Sequence, residues 1–420
     1  MQLKKKKSML KSSAGSVSCA LAAATCSLLG APLHAAEGED GWKIDTALLL
    51  YSETDRVTAV EPVIKMGKQF ADDSTLDMKL TLDSLTGASH NGAIVSDQPQ
   101  TFTNPSGSAY TTKPGDVPLD STFKDTRTAF NLQYTRPWTR TLRWTAGTNF
   151  SSEYDFQSFG ANAGLLWDLN QKNTTLTLGF SHESDSINAV GGIPTPLSSM
   201  PSATSTSANT VKLTEGDSDS RSVNDILLGW TQVINRRWIM QLNYSLSNSS
   251  GYHNDPYKIV TVLDPGNPID DYLYEARPDS RTKSAIYWEN RYHFDEDSMA
   301  LSLRYMTDDW GINSQTLDFK YRHELGNGWY LQPHLRYYTQ TAADFWYESV
   351  PTADVAGLTE ASSDYRLGNL DDMTYGLKVG RKLSRGREWN ARVELFSQSG
   401  DTKAAEVDAF ITQVGYTFYW

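Results

Sequence analysis

The chain has 420 residues, with 50 acidic and 38 basic side chains and a formal net charge of −12. Its mean hydropathy is −0.48, and no apolar run of about 20 residues follows residue 36, which excludes a bundle of membrane-spanning helices. The acidic balance argues against nucleic-acid binding. With 12 Trp, 21 Tyr and 14 Phe, this polar chain has the composition of a membrane β-barrel, in which lipid touches only alternate residues. A soluble all-β protein shares much of this composition.

The N-terminus has the pattern of a signal peptide. Lys4–Lys7 form a positive segment, residues 17–33 are apolar and rich in Ala, and Ala35 or Ala36 stands at a plausible cleavage site. We therefore predict a signal peptide at 1–36 and a single domain at 37–420. Export by such a signal is consistent with a location in the bacterial outer membrane.

Both cysteines of the chain, Cys19 and Cys26, lie in this predicted signal peptide. A lipoprotein signal ending at Cys26 is an alternative, although Thr25 is an unfavourable residue before a lipidated cysteine. Removal of the segment deletes five of the 38 basic residues and none of the 50 acidic ones, which leaves a net charge of −17. The mature domain would have no disulfide and no cysteine metal site. We predict no metal and no cofactor.

From residue 43 onward, apolar and polar residues alternate in runs of ten to fourteen. Such runs are long enough to span a bilayer as tilted strands. We predict an all-β fold, a transmembrane antiparallel β-barrel of about 16 strands, and an even number is the rule for bacterial single-chain barrels. The predicted strands are 43–51, 56–66, 74–84, 123–134, 139–151, 155–168, 173–184, 221–234, 237–250, 281–294, 298–308, 313–324, 328–340, 372–383, 388–397 and 409–420.

The lengths of the connections support this assignment independently. If both termini are periplasmic, the long connections all fall on the outer side, and short turns join the strands on the inner side. We hypothesise that the longest loop, which carries the turn residues Gly87, Asn91 and Gly92, folds inward as a constriction. The long connections are 85–122, 185–220, 251–280 and 341–371, together with the shorter 398–408.

The last predicted strand has one apolar face that ends in aromatic residues. A terminal aromatic strand at the periplasmic side is what a barrel-assembly machinery would engage, so we expect this machinery and outer-membrane lipid as partners. The residues assigned to this assembly signal are Phe410, Val414, Tyr416, Phe418 and Trp420.

Charged residues recur on the polar face of strands 10 to 15. One interpretation is a charged lumen that attracts anions or polarises a passing solute. The alternative is that a water-filled barrel stabilises its shape with paired charges. The predicted lumen-lining residues are Glu289, Arg291, Arg304, Asp318, Lys320, Arg322, Arg336, Lys378, Arg392 and Glu394.

No catalytic motif is present, and we predict that the protein is not an enzyme. Ser181 and His182 are adjacent, but neighbours on a strand point to opposite faces and form no relay. Tyr252, His253 and Asp255, with nearby Tyr257, are a candidate ligand patch in an outer loop, although a single loop histidine is more often simply exposed.

Several segments resemble an uncharacterised bacterial outer-membrane family, domain of unknown function 3570. They are Leu50–Val57 with Glu61-Pro62, Asp83–Ser89 with Asn91–Ala93, and Phe123–Arg127. The resemblance implies a barrel and transfers no site residues. It also implies association with periplasmic flavin-attaching proteins and small redox lipoproteins, so a redox lipoprotein is a candidate partner.

Three functions remain open at this point. The first is a channel or porin-like conduit with a charged lumen. The second is a non-conducting sheath or docking barrel for a periplasmic redox lipoprotein, and the third is an outer-membrane enzyme.

Overall fold

A computed structural model describes residues 41–103, 109–201, 212–266 and 268–420; the predicted signal peptide lies outside this part of the chain. The described residues form one closed antiparallel barrel of sixteen strands. The strands are β1 Lys43–Glu53, β2 Thr58–Gln69, β3 Thr75–His90, β4 Leu119–Pro137, β5 Leu142–Ser152, β6 Phe156–Leu169, β7 Thr174–Ile187, β8 Asp219–Asn235, β9 Trp238–Gly251, β10 Ser280–His293, β11 Ser298–Asp308, β12 Asn313–Gly326, β13 Trp329–Gln340, β14 Leu370–Lys382, β15 Glu388–Gly400 and β16 Val407–Tyr419.

The barrel closes where β1 pairs with β16. Lys43 lies opposite Tyr419, and Trp42 and Trp420 exchange two backbone hydrogen bonds of 2.6 and 2.9 Å. Each strand is paired on both sides, so no edge is left unsatisfied. The prediction of a 16-strand antiparallel barrel is therefore confirmed.

The largest difference from the predicted boundaries concerns β3 and β4, which continue as a paired ribbon to His90 and Leu119. The register shifts between Gly87 and Ser89. Gly87 has φ +138°, and a Cβ there would overlap the carbonyl oxygen of Arg56. The bend therefore requires glycine, and it lets the ribbon lean over the neighbouring hairpin.

The two faces of the wall differ in polarity. Large apolar side chains on alternate residues are 37–59% exposed on one face, while the other face is polar. Examples from around the barrel are Leu48, Leu50, Ile64, Leu80, Leu82, Phe150, Leu178, Phe180, Leu228, Ile286, Leu303, Leu377, Leu395, Phe410 and Val414. No helix among the described residues is long and apolar enough to cross a membrane.

The connections also sort by end, as the sequence predicts. The end of the barrel that carries the long connections, which we call the loop end, has connections of 91–118, 188–218, 252–279 and 341–369, and the opposite turn end has short turns only. The long connections contain short strands at Gln100–Thr103, Ala109–Thr112, Ile193–Pro194, Thr214–Gly216, Ile259–Leu263, Ile269–Tyr274 and Ser349–Pro351.

Candidate functional site

The described parts of the four long connections pack together into a folded layer, which we call the loop cap. One buried cluster joins Phe102, Met200 and Ile259 from three different connections, together with Tyr274. Phe102 is 1% exposed, and its ring centroid lies 5.1 Å from that of Tyr272. Each fully buried side chain of this size contributes about 1.5–3 kcal/mol. The loops thus have an apolar core of their own.

A second cluster connects the third and fourth long connections. Val260, Val350 and Ala361 are at most 2% exposed, and Leu197 packs against them. The short strand Ile259–Leu263 pairs in parallel with Ser349–Pro351. Backbone pairing and apolar burial therefore fix these two connections to each other.

Buried ion pairs lie beside these clusters. An Nη2 atom of Arg277 donates to Glu275 and to Asp364, each at 3.0 Å. Arg366 pairs with Asp364 at 2.6 Å and with Asp255 at 3.2 Å. The side chains of Arg277, Glu275 and Asp364 are 7%, 1% and 1% exposed. Because each charge has an opposite partner, the network can be buried without an isolated ion.

Burial and neighbouring charges shift the pKa values of the charged groups in this network in different directions. Burial raises the pKa of Glu275, against the lowering effect of Arg277. Burial alone would also raise the pKa of Asp364, but Arg366 and Lys258 hold it well below its usual range. Burial lowers the pKa of Lys258. Asp364 is thus the carboxylate that the network holds most firmly in its charged form.

The cap contacts the rim of the barrel through His90 at the end of β3. The ammonium of Lys258 donates to the carbonyl oxygen of His90. The backbone N–H of Gly92 donates to Nδ1 of His90, and Nε2 lies 3.1 Å from the carbonyl of Ala93. His90 is therefore the neutral tautomer with its proton on Nε2. Gly92 packs so closely that a Cβ would overlap the carbonyl oxygen of Ile259.

These contacts cover the mouth of the barrel. The loops that carry Gly92, Ile259 and Tyr365 follow β3, β9 and β13, which are six, four and six strands apart around the sixteen. Gly92 contacts Ile259, and the rings of His90 and Tyr365 are 6.0 Å apart. Loops attached at such spaced positions can meet only by extending across the opening.

Below the cap, the wall formed by β3 to β8 has buried acids that are paired. Arg127 pairs with Asp83 and Arg221 pairs with Asp185, each at 2.5 Å. At the β5–β6 connection, burial and the nearby Asp125 raise the pKa of Glu153 to about 8. This part of the wall is a packed polar surface.

The predicted lumen charges lie on the polar face, opposite the exposed apolar residues, and several are neighbours. Asp318 and Lys320 are 2.9 Å apart, and Arg322 and Glu324 are 2.8 Å apart. Further pairs are Glu289 with Arg291, and Arg392 with Glu394 at 3.5 Å. Among the described residues, Arg304, Arg336 and Lys378 form no ion pair.

Sequence reasoning missed His334, which joins two of the predicted acids. Its Nδ1 lies 2.7 Å from Glu394, and its Nε2 lies 2.9 Å from Asp318. The alternation of β13 already placed His334 on the polar face, but its partners belong to β12 and β15. Only the strand register brings these three residues together.

A cavity of about 210 Å³ opens at this place. Its lining combines basic, acidic and amide side chains. The lining residues are Lys320, Gln332, His334, Lys378, Asn390, Arg392, Glu394 and Gln413.

The other candidate residues lie apart from this cavity. Ser181 bonds to Asp225 at 3.0 Å, while His182 contacts Asn224 at 2.9 Å, so the adjacent pair points to opposite faces. Phe410, Val414, Tyr416 and Trp420 are 37–80% exposed, and the Tyr416 and Phe418 rings stack at 5.7 Å. Their role in assembly stays a prediction.

In the candidate ligand patch from Tyr252 to Tyr257, the alternative that His253 is simply exposed is wrong. His253 is 7% exposed, and its Nε2 lies 2.8 Å from Ser249 Oγ. The Tyr257 hydroxyl donates to Asp155 at 2.6 Å. These side chains instead fix the cap to the wall. Within the described ranges, no group of three His, Cys, Asp or Glu side chains is suited to hold a metal ion.

The motifs noted in the sequence and the barrel agree with a comparison to known families. The model of the family described as "Protein of unknown function (DUF3570)" matches residues 18–416. The chain belongs to this family. No curated protein matches this DUF3570 chain.

Among solved structures, the barrel is similar to a bacterial polysaccharide outer membrane secretin, with a TM-score of 0.46 and 9% identity over 91% of this chain and 99% of that one. It is also similar to the Pseudomonas putida toluene transporter TodX, with a TM-score of 0.40 and 11% identity over 93% of each chain. Pseudomonas aeruginosa OccK2 has a TM-score of 0.41 and 10% identity over 90% of this chain and 97% of that one. The likeness concerns the barrel fold.

Proposed function

We propose that the protein is a conduit of the bacterial outer membrane whose outer mouth is closed at rest by the loop cap. The observation that carries this proposal is the meeting of three loops, attached six, four and six strands apart, over the mouth of a charged barrel. Opening would require the cap to move away from the rim.

The wall supports a membrane location. Leu178, Leu228 and Leu395 are 49%, 49% and 59% exposed on the outward face, and exposed apolar area costs about 25 cal/mol per Å² in water. Lipid removes this cost. The closed barrel pairs its backbone groups between strands, which the hydrocarbon layer requires. The long loops would then face outward, with the turns in the periplasm.

The polar face supports a conduit. Barrels of 16–18 strands leave an aqueous passage unless loops fold in. The cavity of about 210 Å³ is lined by side chains of the five consecutive strands β12 to β16. A cap above a hydrated lumen is the arrangement expected of a channel that conducts little until it opens.

Conductance across a planar bilayer tests this proposal. In the variant Gly92→Val, the added side chain would overlap Ile259 and separate the β3–β4 ribbon from the cap. Gly115→Val is the matched control, because Gly115 also has positive φ, +82° against +99° for Gly92, and a Cβ there meets nothing within 4 Å. We expect Gly92→Val to raise single-channel conductance several-fold over the wild type, and Gly115→Val to leave it unchanged.

Deletion of residues 91–118 gives a second test that does not depend on one side chain. It should also raise the conductance, provided that the barrel still shows the heat-modifiable mobility of a folded outer-membrane protein. If the wild type, Gly92→Val and the deletion variant all insert as folded barrels and stay silent, the conduit proposal is wrong. That result would favour the docking barrel for a periplasmic redox lipoprotein.

A further inference from the structure

We infer that the cavity beside Lys378 is a binding site for a small hydroxylated carboxylate. This inference rests on the proposed conduit function, since it names the class of solute that the lumen would select. Three features carry it: the cross-strand arrangement of the lining, the isolation of Lys378, and the chemistry of the surrounding side chains.

The strand register builds the site from one continuous row. Gln332 lies opposite Lys378, Lys378 opposite Arg392, and Arg392 opposite Gln413. Side chains directly opposite on paired strands lie about 4.5–5.5 Å apart at Cβ. The row therefore places two cations between two amides across β13 to β16.

Lys378 stands alone on its own strand. The residues two positions before and after it are Gly376 and Gly380, which have no side chains to cover it. The space over Gly380 is taken by the Tyr330 ring, and that over Gly376 by Glu394. The ammonium of Lys378 forms no hydrogen bond or ion pair with any described residue, and its Nζ lies 5.9 Å from the centroid of the Tyr330 ring. Its ammonium is thus available to a ligand.

Glu394, which lines the cavity, and Asp318, which contacts the lining residues Lys320 and His334, already have partners. Glu394 faces His334 at 2.7 Å and Arg392 at 3.5 Å. Asp318 faces Lys320 and His334, each at 2.9 Å. The charge of Glu388 acts on Lys378, but neither Glu388 nor any other described acid forms an ion pair with it. The ammonium can therefore still take up an anionic group.

The amides narrow the class of anion. Gln413 accepts from Arg392 at 2.6 Å through its oxygen, which leaves its NH₂ group free to donate. The side chains of Gln332 and Asn390, which also line the cavity, form no hydrogen bond with any described residue. Amides both donate and accept, as hydroxyl groups require. A carboxylate on Lys378 with hydroxyls on these three amides would satisfy the site.

The size of the cavity limits the ligand further. Sites for drug-sized molecules have volumes of about 300–1,000 Å³, and this cavity measures about 210 Å³. The site therefore fits a molecule of the size of a single sugar acid.

Calorimetric titration of the detergent-solubilised barrel with gluconate tests the site without requiring conductance. Glucose is the uncharged probe, and inorganic phosphate is the anion without an extended set of hydroxyls. We expect gluconate to bind at least tenfold more tightly than either. Lys378→Gln should weaken gluconate binding at least tenfold, and Lys378→Glu should abolish it. Because Lys378 forms no ion pair with a described acid, neither change takes an ion-pair partner from one of those acids.

Lys172→Gln is the matched control, since Lys172 lies in the turn 170–173 between β6 and β7, on the opposite side of the barrel from β14, and it should bind gluconate as the wild type does. Equal binding of gluconate and glucose, equal binding of phosphate, or unchanged binding in Lys378→Gln would overturn the inference. A barrel that binds gluconate through Lys378 but never conducts would refute the conduit and leave the site intact. A barrel that conducts without binding gluconate would refute the binding site and leave the conduit proposal intact.

Discussion

The loop cap and the cavity beside Lys378 are both rich in charge, but they use it differently. In the cap, Arg277, Glu275 and Asp364 are at most 7% exposed and are paired with each other. In the lumen, Lys378 has no ion pair with a described residue, and the side chain of Gln332 beside it forms no hydrogen bond with one. A paired, buried charge fixes the position of the segments that carry it, whereas an unpaired charge that reaches water is available to a solute. The first arrangement suits a closure and the second suits a binding site.

The largest effect is expected from a variant whose barrel cannot close, because both the loop cap and the cavity depend on the closed barrel. Deletion of Phe418–Trp420 takes away the end of β16, which pairs with Lys43, and the two backbone bonds between Trp42 and Trp420. We expect the chain to be exported but not inserted, as measured by membrane fractionation and heat-modifiable mobility. Trp138→Ser is the control, since Trp138 is a 72% exposed aromatic at the turn end and should still insert. A folded barrel from the deletion variant would contradict the proposed assembly signal.

A smaller effect is expected from a variant that destabilises the loop cap and leaves the barrel strands unchanged. Arg277→Met leaves the buried carboxylates of Glu275 and Asp364 without one of their partners, which costs about 3–5 kcal/mol for a buried pair. We expect faster hydrogen exchange in residues 259–274 and unchanged exchange in the barrel strands. Arg237→Met is the matched control, because Arg237 and its partner Asp295 are 53% and 86% exposed, and such a pair contributes about 0–1 kcal/mol. Equal exchange in the two variants would mean that the buried pairs do not hold the cap.

The same contrast explains what could be predicted from the sequence. The wall repeats a period of two, so its faces, its sixteen strands and the end with the long loops all follow from local patterns. The contacts of the cap join distant segments, such as Lys258 and His90, which are 168 residues apart. No periodic pattern indicates such a pairing, and a buried His253 therefore looked like an exposed one.

The lumen was partly predictable from the sequence, less than the wall and more than the cap. The polar face of each strand was predictable, but the joining of Asp318 and Glu394 by His334 depends on the register of four strands. The sequence placed Lys378 on the polar face, and the glycines two positions before and after it, Gly376 and Gly380, show what they leave open only once the facing strands are in place. The absence of an ion pair with the other described residues could be established only once the facing side chains were placed.

The smallest effect we predict is a pH dependence of the cap. Burial raises the pKa of Glu275 in the folded state, so above its unfolded value of about 4.3 the folded cap binds more protons than the unfolded one. The contribution of Glu275 to stability is therefore fully present below that unfolded value and is lost as the pH rises through the raised folded pKa. Relative to Glu275→Gln, the wild-type cap should gain stability as the pH falls from 7 to 5, by at most about 1.4 kcal/mol per pH unit.

Hydrogen exchange of residues 259–274 at pH 7, 6 and 5, corrected for the intrinsic exchange rate, measures this difference. Glu296→Gln is the matched control, since Glu296 lies in the turn 294–297 at the turn end, far from the cap, and it should follow the wild type at each pH. Glu275→Gln keeps a side chain of the same shape for Ser362, whose hydroxyl donates to Glu275 at 2.6 Å. The comparison of this variant with the wild type therefore measures the effect of protonating Glu275. A wild-type cap that loses stability relative to Glu275→Gln on acidification would mean that the ion pair with Arg277 outweighs the burial of Glu275. The cap would then open as the pH falls. The contrast between the paired charges that fix the cap and the unpaired charge of Lys378 in the lumen would hold only near neutral pH.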